Sequence, residues 1–258
     1  NIGRFLLFLV IVLGVWGIIH GYVFWRLATV PWVIAHIPRR ALVVAALALW
    51  ASFPLVHMLG SRTSGAWLYP LEFVAGNWIG ILFLLFVCTV ASDIVTMGGF
   101  AMPRFAPCVR GWALLLAVVL CAIALVQGMR PPVVSRYEVR LPGLPPERDG
   151  TVMAAVSDLH LGTLIGVRWT ERLVARLNGM HPDIVAVAGD LLDAGDGQAQ
   201  RLLPALKRLH APLGVWAVTG NHESYTGLDR SIKYMEDAGF TVLRDRWAQA
   251  APGLMIAG

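Results

Sequence analysis

Residues 152–161 read VMAAVSDLHL, a short apolar run that ends abruptly in Asp158 and His160. A buried strand that delivers a carboxylate and an imidazole at its carboxyl end is how open α/β sheets usually build a site. Two later stretches repeat the design. Residues 183–193 (DIVAVAGDLLD) run apolar into Gly189, Asp190 and then Asp193, and residues 213–223 (LGVWAVTGNHE) run apolar into Gly220, Asn221, His222 and Glu223. Three strands therefore finish in metal-type ligands. Between them, Leu173, Val174, Leu177 and Met180 recur at helical spacing and predict a helix over 169–180 capped by Thr170. Further helices are expected over 204–209 and 229–238. Strand, helix, strand, helix, strand implies a parallel or mixed sheet with helices packed on it.

Upstream of this region the chain changes character. Its hydrophobic fraction is 57% and its charged fraction 14%, against roughly 45–50% and about 25% for soluble domains. Residues 1–130 hold eight arginines but only Glu72 and Asp93 as acids, so the net charge of +5 belongs to this half. Its basic residues sit in gaps between apolar runs, which suits membrane topology better than a nucleic-acid surface. Runs over 5–25, 41–59, 77–97 and 111–129 are each long enough to cross a hydrocarbon layer of roughly 30 Å as a helix. The expectation is an all-α transmembrane bundle of four spans over residues 1–130. Trp16, Trp25, Trp32, Trp50, Trp67, Trp78 and Trp112 mostly lie toward span ends and read as interfacial belts. Pro54, Asn77 and Asp93 interrupt the spans. Asp93 reads as an interfacial acid, because no basic residue is expected within a span.

With four spans both chain ends share a side. Arg26, Arg39 and Arg40 after the first span, against Arg4 before it, favour an extracytoplasmic C-terminal domain, while Arg130, Arg136 and Arg140 pull the other way. The expected location is a multi-pass cell membrane protein. Cys88, Cys108 and Cys121 match neither a disulfide framework nor a zinc motif. Residues 131–150 form a Pro/Gly-rich linker in which 135–141 is expected as an edge strand, and a soluble domain occupies 151–258. The chain opens on Asn1 and stops at Gly258 after an apolar run, so it reads as a fragment.

The three strand ends carry chemistry together. A carboxylate bridges two divalent ions because each of its oxygens can face one, and Asp190 is the best candidate. Asp158 and His160, two apart on an extended segment, point the same way. Asn221 offers a neutral oxygen, His222 stands ready to protonate a leaving oxygen, and Glu223 is available to hold its ring or, equally, to serve a structural salt bridge or the start of a helix. Asp193 reads as a turn cap or an orienting group, and Arg168 and Arg172 as a solvated helix face.

The blocks Asp158-x-His160, Gly189-Asp190-x-x-Asp193 and Gly220-Asn221-His222-Glu223, in this order, resemble the calcineurin-like metallophosphoesterase family over roughly residues 150–258. That resemblance implies a β-sandwich flanked by helices and a binuclear centre of manganese, iron or zinc. It further implies Asp158, His160, Asp190 and Asn221 as metal ligands and His222 as proton donor. The family's later lone His and Gly-His-x-His segment have no counterpart in this sequence. His181 and His210 precede strands and belong to the opposite end of the sheet, so the domain reads as incomplete at its C-terminal part.

Hydrolysis of a phosphate ester or pyrophosphate by metal-activated water is the expected reaction, a phosphodiester included. Anchoring to the bilayer motivates a phospholipid or a lipid-linked pyrophosphate as substrate, with no nucleic-acid partner. The alternative is a catalytically incomplete membrane sensor or transport-associated protein whose phosphoesterase-like domain only binds ligand.

Overall fold

A computed structural model of the chain, which describes residues 2–60, 68–193 and 196–258, divides it near residue 128 into two compact units. The first is helical: α1 (Ile2–Leu27), the short α2 (Pro31–His36), α3 (Arg39–Gly60), α4 (Tyr69–Thr96) and α5 (Ala106–Gly128). Four of these are long and apolar enough to cross a membrane, over Leu6–Leu27, Arg39–Val56, Tyr69–Gly99 and Ala106–Gly128. Val10, Ile18, Val44, Phe83 and Val118 are among the many large apolar side chains turned outward, as in a bundle that faces lipid.

Within this unit Asp93 is not the solitary interfacial acid expected of it. Tyr22 donates to its Oδ2 at 2.6 Å, Arg26 Nε lies 2.5 Å from the same oxygen, and Arg110 Nη2 lies 3.1 Å from Oδ1. Both arginines fall inside helices, because α1 runs on past Trp25 and α5 starts ahead of Gly111, one turn beyond the apolar runs. The tryptophans also divide. Trp25, Trp32 and Trp112 are exposed, whereas Trp16 donates to the Trp50 carbonyl at 3.1 Å and Trp78 to His20 Nε2 at 2.8 Å, tying helices together. Trp67 lies outside the described residues.

The second unit is an α/β domain. Its strands are β1 (Met153–Val156), β2 (Leu161–Gly162), β3 (Ile184–Ala188), β4 (Leu192–Asp193), β5 (Val215–Val218), β6 (Thr241–Val242), β7 (Trp247–Ala251) and β8 (Leu254–Ala257). Helices α6 (Val167–Asn178), α7 (Asp196–Leu206), α8 (Asn221–Thr226) and α9 (Leu228–Asp237) alternate with them. The main sheet runs β1-β3-β5-β6, every pair parallel, with Val185 opposite Val215 and Met153 opposite Ile184. A two-residue parallel pair, β2 with β4, extends it beyond the strand ends.

Side-chain alternation sorts the sheet into two faces. Val185, Val187, Val215 and Ala217 face α6, α7 and α9 through Leu173, Leu177, Leu202 and Met235. Ile184 and Trp216 face the other way, where the antiparallel β7–β8 hairpin packs on them through Ala248, Leu254 and Ile256. The expected β-sandwich is thus present as a parallel sheet with a hairpin across one face, not as two full sheets.

Several local expectations are corrected. Residues 135–141 pair with no strand among the described residues and are exposed throughout. Gly166, not Thr170, is the N-cap of α6. Thr170 sits one turn further in and donates to the Gly166 carbonyl at 3.1 Å, because Val167 and Trp169 already pack inward. Helix α7 begins at Asp196 and holds Pro204 near its end, where the Gln200 carbonyl receives no N–H from it. The six-residue α8, which starts on Asn221 itself, is an additional element.

Candidate metal centre

Because all strands of the main sheet are parallel, their carboxyl ends lie on one side. Residues 157–160, 189–190 and 219–223 leave β1, β3 and β5 there. The loops are stitched by backbone bonds that continue the ladder: Asp158 N–H to the Gly189 carbonyl at 3.2 Å, His160 N–H to that of Asp190 at 3.0 Å, and Leu161 N–H to that of Leu191 at 2.9 Å. Asp158, His160 and Asp190 all take positive φ, at 53°, 45° and 49°. Asp and His tolerate this left-handed region better than most residues. Three such residues in adjacent loops mark a site where backbone shape is subordinated to side-chain placement.

Glycines set how closely the loops approach. A Cβ on Gly220 would fall 2.1 Å from Asp190 Oδ1 and 2.7 Å from its Cγ. Gly189, at φ +90°, would set one 3.1 Å from the Gly220 backbone. The two Gly-Asp and Gly-Asn turns therefore require glycine for contact between loops as much as for turning.

Of the two roles open to Glu223, the helix-start role is the one the structure shows, because its carboxylate takes the Gly220 N–H at the N-cap of α8. Glu223 is fully buried, and its carboxylate accepts the N–H of Asp190 at 3.1 Å, of Leu192 at 3.0 Å and of Gly220 at 2.7 Å. Both oxygens are thereby committed to backbone, clamping the turn after β3 to the turn after β5. It is Asp193 that faces the His222 ring, with Oδ1 3.5 Å from Nδ1. Of the two readings of Asp193, turn cap or orienting group, this contact favours the second, with β4 holding Asp193 beside Gly162.

His160, Asp190 and His222 converge. Their ligand atoms lie within 4.8 Å of one another, the two imidazoles meet edge to face at 4.4 Å between centroids, and Asp190 Oδ1 accepts the backbone N–H of His222 at 2.9 Å. Divalent transition metals hold N and O ligands at about 2.0–2.2 Å, so ligands of one ion span up to about 4.4 Å. A spread of 4.8 Å closes by side-chain adjustment of tenths of an ångström. Imidazole and carboxylate are also donor types that suit zinc, iron or manganese, so His160 and Asp190 fit such an ion, with the His222 ring beside them. Asp158 stands outside this group, exposed, with its Oδ2 accepting from the Ser157 hydroxyl. Asn221 is exposed at the start of α8, beside His222. His181 and His210 are exposed and lie before β3 and β5, at the far end of the sheet.

The family model that matches this arrangement is described as calcineurin-like phosphoesterase and covers residues 152–251. The chain carries a calcineurin-like phosphoesterase domain. Among its relatives, a Danio rerio protein named transmembrane protein with metallophosphoesterase domain is 29% identical over 201 residues, covering 72% of this chain and 44% of that protein. That span exceeds the C-terminal unit, so the likeness runs into the helical one. A Bos taurus protein of the same name is 33% identical over 114 residues, 44% of this chain and 26% of its own length. An uncharacterized metallophosphoesterase of Aquifex aeolicus is 35% identical over 125 residues, 48% of either chain. The chain spans less than half the length of these relatives. No solved structure matches it. Four apolar helices and relatives named as transmembrane proteins make the owner of this metallophosphoesterase domain a membrane protein.

Proposed function

We propose that the phosphoesterase domain hydrolyses phosphate esters at a membrane surface, using divalent metal held at the carboxyl ends of β1, β3 and β5. The convergence of His160, Asp190 and His222 carries this reading. His160 and Asp190 would hold metal, with Asp158 and Asn221 completing the ligand set by swinging in from exposed positions beside them. When bound, such ions polarise the phosphoryl group and lower the pKa of water.

The chain's own residues supply the rest. Asp193 faces His222 Nδ1, which leaves Nε2 to face the reacting group and protonate the leaving oxygen. Glu223 fixes the height of Asp190 and Gly220 and so the spacing of ligands on β3 and β5. A substrate that carries its phosphate on a lipid would reach the site by diffusion in the bilayer. The arginines of the helical unit favour an extracytoplasmic domain, by the tally of basic residues near the spans.

The test is elemental analysis of the purified full chain, joined to a bis-p-nitrophenyl phosphate assay and to parallel assays on a phospholipid and a soluble phosphodiester. Bound manganese, iron or zinc with turnover supports hydrolysis, and faster turnover of the lipid supports the substrate class. A metal-free, inactive protein after metal loading would defeat the first, and equal rates on both diesters the second.

A further inference from the structure

One end of the helical bundle holds an unbalanced charge cluster. Arg26 and Arg110 are 8% and 6% exposed, and Asp93 is the acid they share. Arg110 is bonded at each of its three nitrogens: Nε lies 3.2 Å and Nη2 3.1 Å from Asp93 Oδ1, Nη2 also donates to the Gly98 carbonyl at 2.9 Å, and Nη1 to the Thr29 hydroxyl at 3.4 Å. Arg26 is not. Its Nε lies 2.5 Å from Asp93 Oδ2 but off the hydrogen-bond direction, so this buried N–H has no hydrogen-bond acceptor among the described residues. Tyr22 is hydrogen-bonded to its side chain, and the guanidinium lies 3.8 Å over the Trp25 ring.

Two guanidinium groups against one carboxylate leave a surplus positive charge in a site of low dielectric. Its surroundings add to the surplus. Arg39 and Arg40 open α3 and Arg104 precedes α5 at this same end, and segments 27–38 and 97–105 contain no acid. The exposed rings of Trp25, Trp32 and Trp112 lie here too, and such rings settle at headgroup depth.

We propose that Arg26 is the recognition point of an anionic phospholipid site, with the lipid phosphate taking the donors that Asp93 and Tyr22 leave free and Trp25 bordering it. The site lies in the helical unit and does not depend on the phosphoesterase activity. A phosphate offers acceptors for the guanidinium fork, and the bilayer presents phosphates at that depth.

The experiment reconstitutes the full chain in phosphatidylcholine nanodiscs containing a minority of phosphatidylglycerol and counts retained lipid by native mass spectrometry, with inorganic phosphate as a competing arm. Wild type should retain phosphatidylglycerol over phosphatidylcholine. Arg26→Gln should weaken that retention by about tenfold or more, the size of a charge-assisted hydrogen bond, and Arg26→Lys should restore part of it. Asp93→Asn, which removes the competing carboxylate without changing shape, should retain the lipid more strongly. Equal retention of both lipids, or unchanged retention in a folded Arg26→Gln protein, would overturn the proposal. Displacement by inorganic phosphate at low millimolar concentration would overturn the lipid as the source and leave a soluble phosphate as occupant.

Discussion

Replacing Glu223 with Gln tests whether a buried carboxylate sets the spacing of the site. Its Oε2 accepts the N–H groups of Asp190 and Gly220, and its Oε1 that of Leu192. Glutamine keeps the shape. Its carbonyl oxygen can occupy the position that takes two bonds, which sets the amide NH2 against the Leu192 N–H and leaves that buried donor unsatisfied. One such group costs about 1–3 kcal/mol, equivalent to about five- to 150-fold in a local opening equilibrium. Hydrogen exchange of the full chain in detergent reads this directly: the Leu192 amide should exchange faster by about that factor, while the paired amides of β1 and β3 serve as the internal reference. Glu223→Ala removes both acceptor oxygens and leaves three buried N–H groups unsatisfied, for about 3–9 kcal/mol. That approaches the about 5–15 kcal/mol that holds a domain together, so this variant should fail to accumulate folded. Unchanged protection at Leu192 in Glu223→Gln would refute the clamp.

Gly220→Ala should push Asp190 out of place, since the new Cβ would lie 2.1 Å from its Oδ1; bound metal in the purified variant should fall on elemental analysis, and full metal content would count against the packing argument. Asp190→Asn should lose metal as well, whereas Asp193→Asn should keep metal and turn over about ten- to a hundredfold more slowly, because the His222 ring loses the group that faces it. Wild-type rates in Asp193→Asn would show that this contact does not orient the ring. Dialysis against a chelator should abolish hydrolysis of an aryl phosphodiester, and manganese or zinc should restore it. Asp93→Leu should cost about 3–5 kcal/mol by leaving Arg26 and Arg110 buried without a counter-charge; an unchanged thermal midpoint in detergent would show that the cluster is not under electrostatic load.

Site legibility followed from strand chemistry. A parallel sheet needs near-continuous apolar strands, and each of β1, β3 and β5 ends where Asp158, Asp190 and Asn221 interrupt the run, so the loops could be read as neighbours before any coordinates. Four spans were legible for a similar reason, since lipid demands unbroken apolar length. What stayed hidden depends on contacts between residues far apart in sequence. A helix-start role for Glu223 is legible from its place three residues after Gly220, but its reach to the amides of Asp190 and Leu192 on another loop is not.

Asp93 shows the same limit from the other direction. Its partners Tyr22, Arg26 and Arg110 come from two other helices, and each arginine sits just beyond an apolar run, where a hydropathy reading places it in a loop. Judging Asp93 an interfacial acid because no base lies within a span takes the span ends from hydropathy. Helices here continue for a turn past the apolar run, because backbone bonds in or near lipid are best satisfied within the helix. That extra turn brings the guanidinium groups to the depth of the carboxylate. An acid near a span end is therefore better judged against bases within a turn of every neighbouring span end than against those inside the spans alone. Applied here, that rule would have named both Arg26 and Arg110.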